Sequence, residues 1–205
     1  MISRSVSSFL PAVALALALP TLAPTLAHAQ AAKAPALATY TIDPVHSSVA
    51  FKIKHLLVSN VSGRFTKFQG TIKMDPNNLA SSSVDVTIDA ASVSTDEEAR
   101  DKHLRTDTFF DVAKFPTITF KSDRVTPGAN GDLAVTGQFT MHGVTRTITL
   151  PVTGWASGPG GKPGTVVAGG EAILTLKRSD YGMDKMVGPV GDEVKITLDV
   201  EADKQ

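Results

Sequence analysis

The sequence predicts an all-β domain, an antiparallel barrel of eight strands with one short helix after the third strand. Three observations predict it. Between Tyr40 and Ala202, apolar residues recur at every second position in about eight separate runs, the pattern of strands with one buried and one wet face. Tight-turn sequences separate most of the runs, so sequence neighbours pair antiparallel. Only the stretch at 94–105 carries helix signals instead of alternation. Eight half-buried strands must close their sheet or stack it. Closure removes the exposed edges, and a two-sheet sandwich is the competing architecture.

The strands follow an export segment. Arg4 gives a positive start, residues 9–19 an apolar run, and Ala27-His28-Ala29 an A-x-A cleavage site. These are the parts of a cleaved signal peptide over residues 1–29, with an apolar run too short to span a bilayer. Residues 30–38 read as a disordered Ala/Pro leader, and 39–203 as one domain.

The first strand covers residues 47–55, where Val49, Phe51 and Ile53 alternate with Ala50, Lys52 and Lys54. The second covers 65–74, with Phe68, Gly70, Ile72 and Met74 on one face. Phe65 is out of phase with Phe68, which requires a bulge or bend between them. Asp75-Pro76-Asn77-Asn78 is a turn, and Val84, Val86 and Ile88 mark the third strand.

Ser94-Thr95-Asp96-Glu97 has the form of a capping box. Acidic Asp96, Glu97 and Glu98 precede basic Lys102, His103 and Arg105, an order that complements a helix dipole. A helix of roughly ten residues over one barrel end is expected here.

Ile118 and Phe120 mark the fourth strand after Pro116, and Asn130-Gly131 is a hairpin signal. Leu133, Val135, Gly137, Phe139 and Met141 form the fifth strand. His142-Gly143 turns into the sixth, with Val144, Ile148, Leu150 and Val152. The Gly/Pro string at 158–164 is a loop. Residues 166–176 and 194–200 complete the set; in the last, Val194, Ile196, Leu198 and Val200 oppose Glu193, Lys195, Thr197, Asp199 and Glu201.

Composition removes several classes of function. The chain has no cysteine, so neither disulfides nor thiol chemistry contribute. Lys+Arg and Asp+Glu are equal at 20 each, so no net field draws nucleic acid. A membrane-spanning barrel needs an apolar exterior with aromatic girdles; one Trp and two Tyr make a poor girdle. There is no G-x-S-x-G, H-E-x-x-H or P-loop string, and His46, His55, His103 and His142 lack ligand spacing. No catalytic residue, metal ligand or required cofactor is expected.

Whether the interior is hollow is less directly written. The apolar face of the seventh strand reads Val166, Ala168, Gly170, Ala172, Leu174, Leu176, tiny at one end and full-sized at the other. Gly70 and Gly137 lie on apolar faces too. Small residues leave space unless Phe51, Phe68, Phe120 and Phe139 fill it, and glycine also permits strand coiling. Cavity and solid core both remain open on this pattern.

Longer strings carry a resemblance. Asp43-Pro44-Val45-His46-Ser47-Ser48-Val49-Ala50-Phe51-Lys52-Ile53-Lys54-His55-Leu56 followed by Val61-Ser62-Gly63-Arg64-Phe65 resembles the opening of the YceI-like family of exported lipid- and polyisoprenoid-binding proteins. Arg105-Thr106-Asp107-Thr108-Phe109-Phe110-Asp111 with Lys114-Phe115-Pro116 is similar to its middle segment. Leu133-Ala134-Val135-Thr136-Gly137, Met141-His142-Gly143-Val144-Thr145 and Lys177-Arg178-Ser179-Asp180-Tyr181-Gly182-Met183 follow in the family's order.

The resemblance implies a lipocalin-like barrel with an apolar tunnel for a long-chain amphiphile: a polyisoprenoid, a quinone or a fatty-acid type lipid. It implies a non-enzymatic periplasmic carrier or sequestering protein whose ligand is the bound isoprenoid or long-chain lipid. Transient membrane contact for loading is expected and no nucleic-acid partner, with a homodimer left open. The alternatives are an enzyme or accessory acting on a quinone or lipid headgroup, or a ligand-free stress or interaction protein.

The expected tunnel wall is Phe51, Ile53, Phe68, Ile72, Val86, Ile118, Phe120, Val135, Phe139, Ile148, Ala172, Leu174 and Ile196. Tyr181, Met183, Met186 and Val187, in the Gly- and Pro-punctuated loop at 179–191, are expected to gate the mouth, because methionine adapts to varied apolar partners. Arg64, His142, Arg146 and Arg178 are the expected headgroup contacts, since guanidinium suits phosphate. Arg146 shares parity with Ile148 and Leu150, which points it inward at a rim.

Overall fold

Alternation along the chain is realised as a closed antiparallel barrel. The computed structural model describes residues 37–205; the expected signal peptide and most of the expected leader lie outside the described residues. The strands are β1 (Ala38–Ile42), β2 (Ser48–His55), β3 (Ser59–Phe65), β4 (Phe68–Met74), β5 (Ser83–Asp89), β6 (Val93–Ser94), β7 (Thr117–Pro127), β8 (Leu133–Met141), β9 (Val144–Pro159), β10 (Val166–Lys177) and β11 (Val190–Lys204). The helix α1 (Glu98–Leu104) follows β6.

Hydrogen bonding runs β1-β4-β5-β7-β8-β9-β10-β11 and returns to β1, which closes the cylinder. The remaining three strands lengthen three of these staves. β1 and β2 both flank β11, β3 runs on into β4, and β5 runs on into β6. Eight staves therefore carry eleven strand segments, and the sequence pattern missed β1, most of β3 and the two-residue β6. β3 reads Ser59-Asn60-Val61-Ser62-Gly63, too polar to register as a half-buried run.

Each break in a stave is held by side chains that replace the lost ladder bonds. Between β1 and β2, Asp43 accepts from the Val45 amide and from His46 Nδ1. There Ser47 Oγ donates to the Glu201 carbonyl at 3.0 Å and accepts from the Glu201 amide at 2.9 Å. Between β3 and β4, the expected bend falls at Thr66 and Lys67. Ser92 Oγ accepts from the Lys67 amide at 3.1 Å, and Thr66 donates to the Ser92 carbonyl at 3.2 Å.

Two hairpins follow their turn sequences: Asn130 (φ 55°) with Gly131 (φ 86°), and His142 (φ 52°) with Gly143 (φ 75°), occupy left-handed backbone. The 158–164 loop is shorter than the composition implies, because Gly158 and Pro159 stay in β9, opposite Val167 and Val166.

The helix is also shorter than expected, and its cap lies elsewhere. α1 spans seven residues, and the N-cap is Glu97, whose carboxylate accepts from the Ala99 and Arg100 amides. Ser94 is held in β6, paired with Arg64, and so cannot serve as the cap. Buried Asp101 instead accepts from the Thr95 amide at 2.8 Å and from the Thr95 hydroxyl. Arg105 donates to the carbonyls of Ala91 and Val93. The helix is thereby pinned against the short β6, at the end where that stave loses its partner.

The glycines on apolar faces divide. A Cβ at Gly137 would meet the Lys121 carbonyl and lie 2.5 Å from Ser122 Cα, beside the bulge in the β7–β8 register. A Cβ at Gly70 would lie 2.7 Å from the Asp85 carbonyl. Both permit close strand approach and leave no empty space, the coiling role of glycine in a strand. Gly170 alone of the three borders the interior space.

Candidate functional site

The inward faces of the staves do not meet at the centre. They enclose a cavity of about 380 Å³, within the range of ligand-binding pockets. Along β11 its wall runs from Val190 through Val194, Ile196 and Leu198 to Val200. From Val194 to Val200, beyond the register shift that follows Val190, the regular strand gives roughly 20 Å of wall along its own direction.

All thirteen expected wall residues border this space: Phe51, Ile53, Phe68, Ile72, Val86, Ile118, Phe120, Val135, Phe139, Ile148, Ala172, Leu174 and Ile196. The phenylalanines line the cavity without closing it. They are spread around the circumference, on β2, β4, β7 and β8.

One end is filled. Tyr40, Ala168 and Ala202 share the inward parity of their strands but lie beyond the cavity, at 6 %, 2 % and 0 % exposure. Ala168 is paired directly with Ala202. Tyr40 meets Trp155 edge-on, with ring centroids 6.2 Å apart. Trp155 reaches the interior through a bulge, where Gly154 takes φ 63° and the β9–β10 register shifts between Gly169 and Glu171. The sequence reading missed Trp155, and Gly154 beside it was the available signal.

The other end is the mouth. Three of the lining residues are exposed, and all lie there: Arg100 and His103 on α1, and Met186 in the 182–189 loop. Leu104, Phe109 and Phe110 extend the apolar wall beneath them. Phe110 packs edge-on against Phe65 at 5.5 Å and Phe109 against His103 at 5.2 Å. Arg100 donates to the hydroxyl and carbonyl of Thr95 at 2.7 and 3.0 Å, which fixes its guanidinium at the rim. Arg100 and His103 are three apart on one helix face, and alternation carries no information about a helix.

The expected gating residues separate into two groups. Met183 and Met186 border the cavity. Tyr181 does not; it is 1 % exposed and packs edge-on against Phe139 at 5.4 Å, and burial raises its phenol pKa. Val187 lies outside the cavity, half exposed beside Met186.

The expected headgroup contacts are dispersed. Arg64 is exposed and pairs with Asp96 at 3.1 Å. His142 Nδ1 lies 3.1 Å from the Tyr181 carbonyl. Arg146 has the predicted parity, but it sits opposite Phe139 near the strand end and turns out to donate to the Asp180 carbonyl at 2.7 Å. Arg178 does border the cavity at 3 % exposure, yet its guanidinium is already committed to backbone. Nε donates to Gly191, Nη1 to Met183 and Lys185, and Nη2 to Val190. Burial lowers its pKa, and it shapes the mouth loop from within. Beside it, Asp192 accepts from the Ser179 amide and hydroxyl, which lowers its carboxyl pKa.

Away from the cavity, Asp43, His46 and Glu201 bring ligand-type atoms within 4.8 Å of one another. The His46 ring is bonded to the Asp43 carboxylate at 2.5 Å, and the group clasps the β1–β2 joint to β11.

Residues 40–202 match the model of the YceI-like domain. A UPF0312 protein of Pseudomonas paraeruginosa is 42% identical over 172 residues, covering 82% of this chain and 88% of its own. One from a Shewanella species is 38% identical over 167 residues, covering 80% and 86%. Among solved structures, BcnA of Burkholderia cenocepacia superposes with a TM-score of 0.69 at 30% identity, covering 78% of this chain and 99% of its own. The YceI protein of Campylobacter jejuni gives 0.64 at 34% identity, covering 75% and 91%. A polyisoprenoid-binding domain from Saccharophagus degradans shares the fold, with a TM-score of 0.59 at 17% identity over 81% and 98%.

Proposed function

The chain belongs to the YceI-like family, and we propose that it is an exported carrier or sequestering protein that holds a long-chain amphiphile tail-first in its barrel. The observation that carries this reading is the cavity of about 380 Å³, walled by apolar side chains and reaching the surface at one end. The fold relative from Saccharophagus degradans is described as a polyisoprenoid-binding domain, which fits an isoprenoid or similar chain as the cargo.

Affinity in this reading comes from the tail. Each methylene removed from water contributes about 0.8 kcal/mol, so ten of them contribute on the order of 8 kcal/mol before the costs of ordering. The polar head stays at the mouth, where Arg100 and His103 offer donors, and no charge has to be buried. The protein acts as a binding protein in the periplasm, and the cavity wall needs no cofactor to hold its guest.

Organic extraction of the purified, exported protein followed by mass spectrometry tests this. A long-chain lipid in near-stoichiometric amount is the expected result. Protein that carries no lipid and takes up none from added isoprenoid or fatty acid would overturn it.

A further inference from the structure

The tip of the β2–β3 hairpin presents Leu56, Leu57 and Val58 to solvent at 56 %, 79 % and 83 % exposure. The Leu56 amide donates to the Pro189 carbonyl at 2.8 Å, and Val190 pairs with His55. The tip is thus bonded to the mouth loop, where Met186 and Val187 are 47 % and 49 % exposed. Five large apolar residues meet on one rim. Leu37, Val45 and Ile173, also exposed, lie elsewhere and singly, as is ordinary for a soluble surface.

The backbone of this rim is unusual in the same direction. Leu56 (φ 49°), Leu57 (φ 63°) and Met186 (φ 58°) take left-handed conformations. Among the described residues, the other non-glycine residues doing so are Asp96, Asp111, Asn130 and His142, types that adopt this region more readily. Leu56 and Leu57 are the central residues of a turn closed by the Val58 amide donating to His55 at 3.2 Å. Asn-Gly is the favoured sequence for such a turn. Two leucines there serve neither the turn nor the core.

We propose that this rim is a lipid-surface docking element, whose apolar tip enters the outer margin of a bilayer and sets the cavity mouth against it. The choice of a lipid surface rests on continuity. His55 and Met186 line the cavity and adjoin the tip, so an embedded tip joins the bilayer interior to the cavity wall without intervening water. It also rests on charge. Lys185 is paired with Asp107 at 3.3 Å and follows Asp184 in the chain, while Lys54 flanks the tip. The tip and loop therefore offer mainly apolar area, with basic Arg100 and His103 across the mouth, a combination that suits interfacial insertion. The inference rests on the carrier reading and names the partner of its mouth.

The experiment is co-sedimentation of the mature protein with vesicles of equal phosphatidylcholine and phosphatidylethanolamine. Wild type is expected to sediment with the vesicles, with little change in high salt. The paired substitution Leu56→Asn with Leu57→Gly is expected to reduce the bound fraction about tenfold or more. Its Tm should hold or rise, because the new pair suits the turn. Val58→Asn, outside the strained pair, should weaken binding in the same direction. Uptake of dansyl-labelled undecanoate from solution should be unchanged in both variants.

Absence of wild type from the pellet, or equal sedimentation of the variants, overturns the proposal. So does conversion of a wild-type dimer to monomer by these changes with vesicle binding intact. A protein that docks but takes up no lipid defeats the carrier reading alone. One that takes up lipid but does not dock defeats this inference alone.

Discussion

Arg178 and Met183 are bonded in both directions: the Arg178 guanidinium donates to the Met183 carbonyl, and the Met183 amide donates back to the Arg178 carbonyl at 3.2 Å. With Lys185, Val190 and Gly191 also held, one side chain organises the entire loop at the mouth.

Replacing it should therefore act on the loop. Arg178→Lys keeps the charge but loses the planar fork and leaves several buried carbonyls short of donors. A loss of about 3 kcal/mol in urea unfolding is expected. Hydrogen exchange should accelerate over residues 183–190 and leave the far end of the barrel protected.

Ala172 is 4 % exposed and borders the cavity. Ala172→Phe places a ring in that space, so the variant should fold with near wild-type Tm and carry at least about tenfold less lipid. Extraction and mass spectrometry read the lipid, and thermal unfolding reads the fold. An unfolded variant would show instead that the space was already taken.

Gly137→Ala adds a Cβ where the Lys121 carbonyl already stands. The two strands must part, at a cost of about 2 to 4 kcal/mol. Chemical denaturation measures it, and an unchanged midpoint would mean the β7–β8 bulge relaxes freely.

The Asp43–His46 clasp predicts a pH window. Hydrogen bonding to Asp43 raises the His46 pKa, with Glu201 and Asp203 adding to it, and the same bond lowers the Asp43 pKa. The histidine contribution is complete below the free imidazole value of about 6.5 and is lost as pH rises through the raised value. The aspartate contribution is complete above about 3.9 and is lost as pH falls through the lowered value. The Tm difference between wild type and His46→Ala should be largest between those limits and shrink on both sides. A difference independent of pH would contradict the clasp.

The barrel was legible because its information is periodic. Every expected wall residue came from parity along a strand, and parity survives folding wherever the strand is regular. It failed where regularity fails. Trp155 turns inward because the bulge at Gly154 shifts the count by one. Arg146 kept its parity but lies where the strand leaves the cavity behind. Arg100 and His103 sit on a helix brought over the mouth by the Thr95–Asp101 and Arg105 bonds, contacts that no local pattern encodes. Arg178 shows the remaining difficulty: a guanidinium in the right place is a headgroup donor only if the backbone has not claimed it first.

Tyr40, Ala168 and Ala202 make the barrel a dead end. In the carrier reading proposed above, a chain threaded past Arg100 retreats along the same path, so its orientation is fixed at entry and nothing travels from one face of the molecule to the other. Deposit and withdrawal share a single doorway. The sense of any net transfer is then set by which surface holds the guest less firmly, and the longest chains are the slowest to be surrendered.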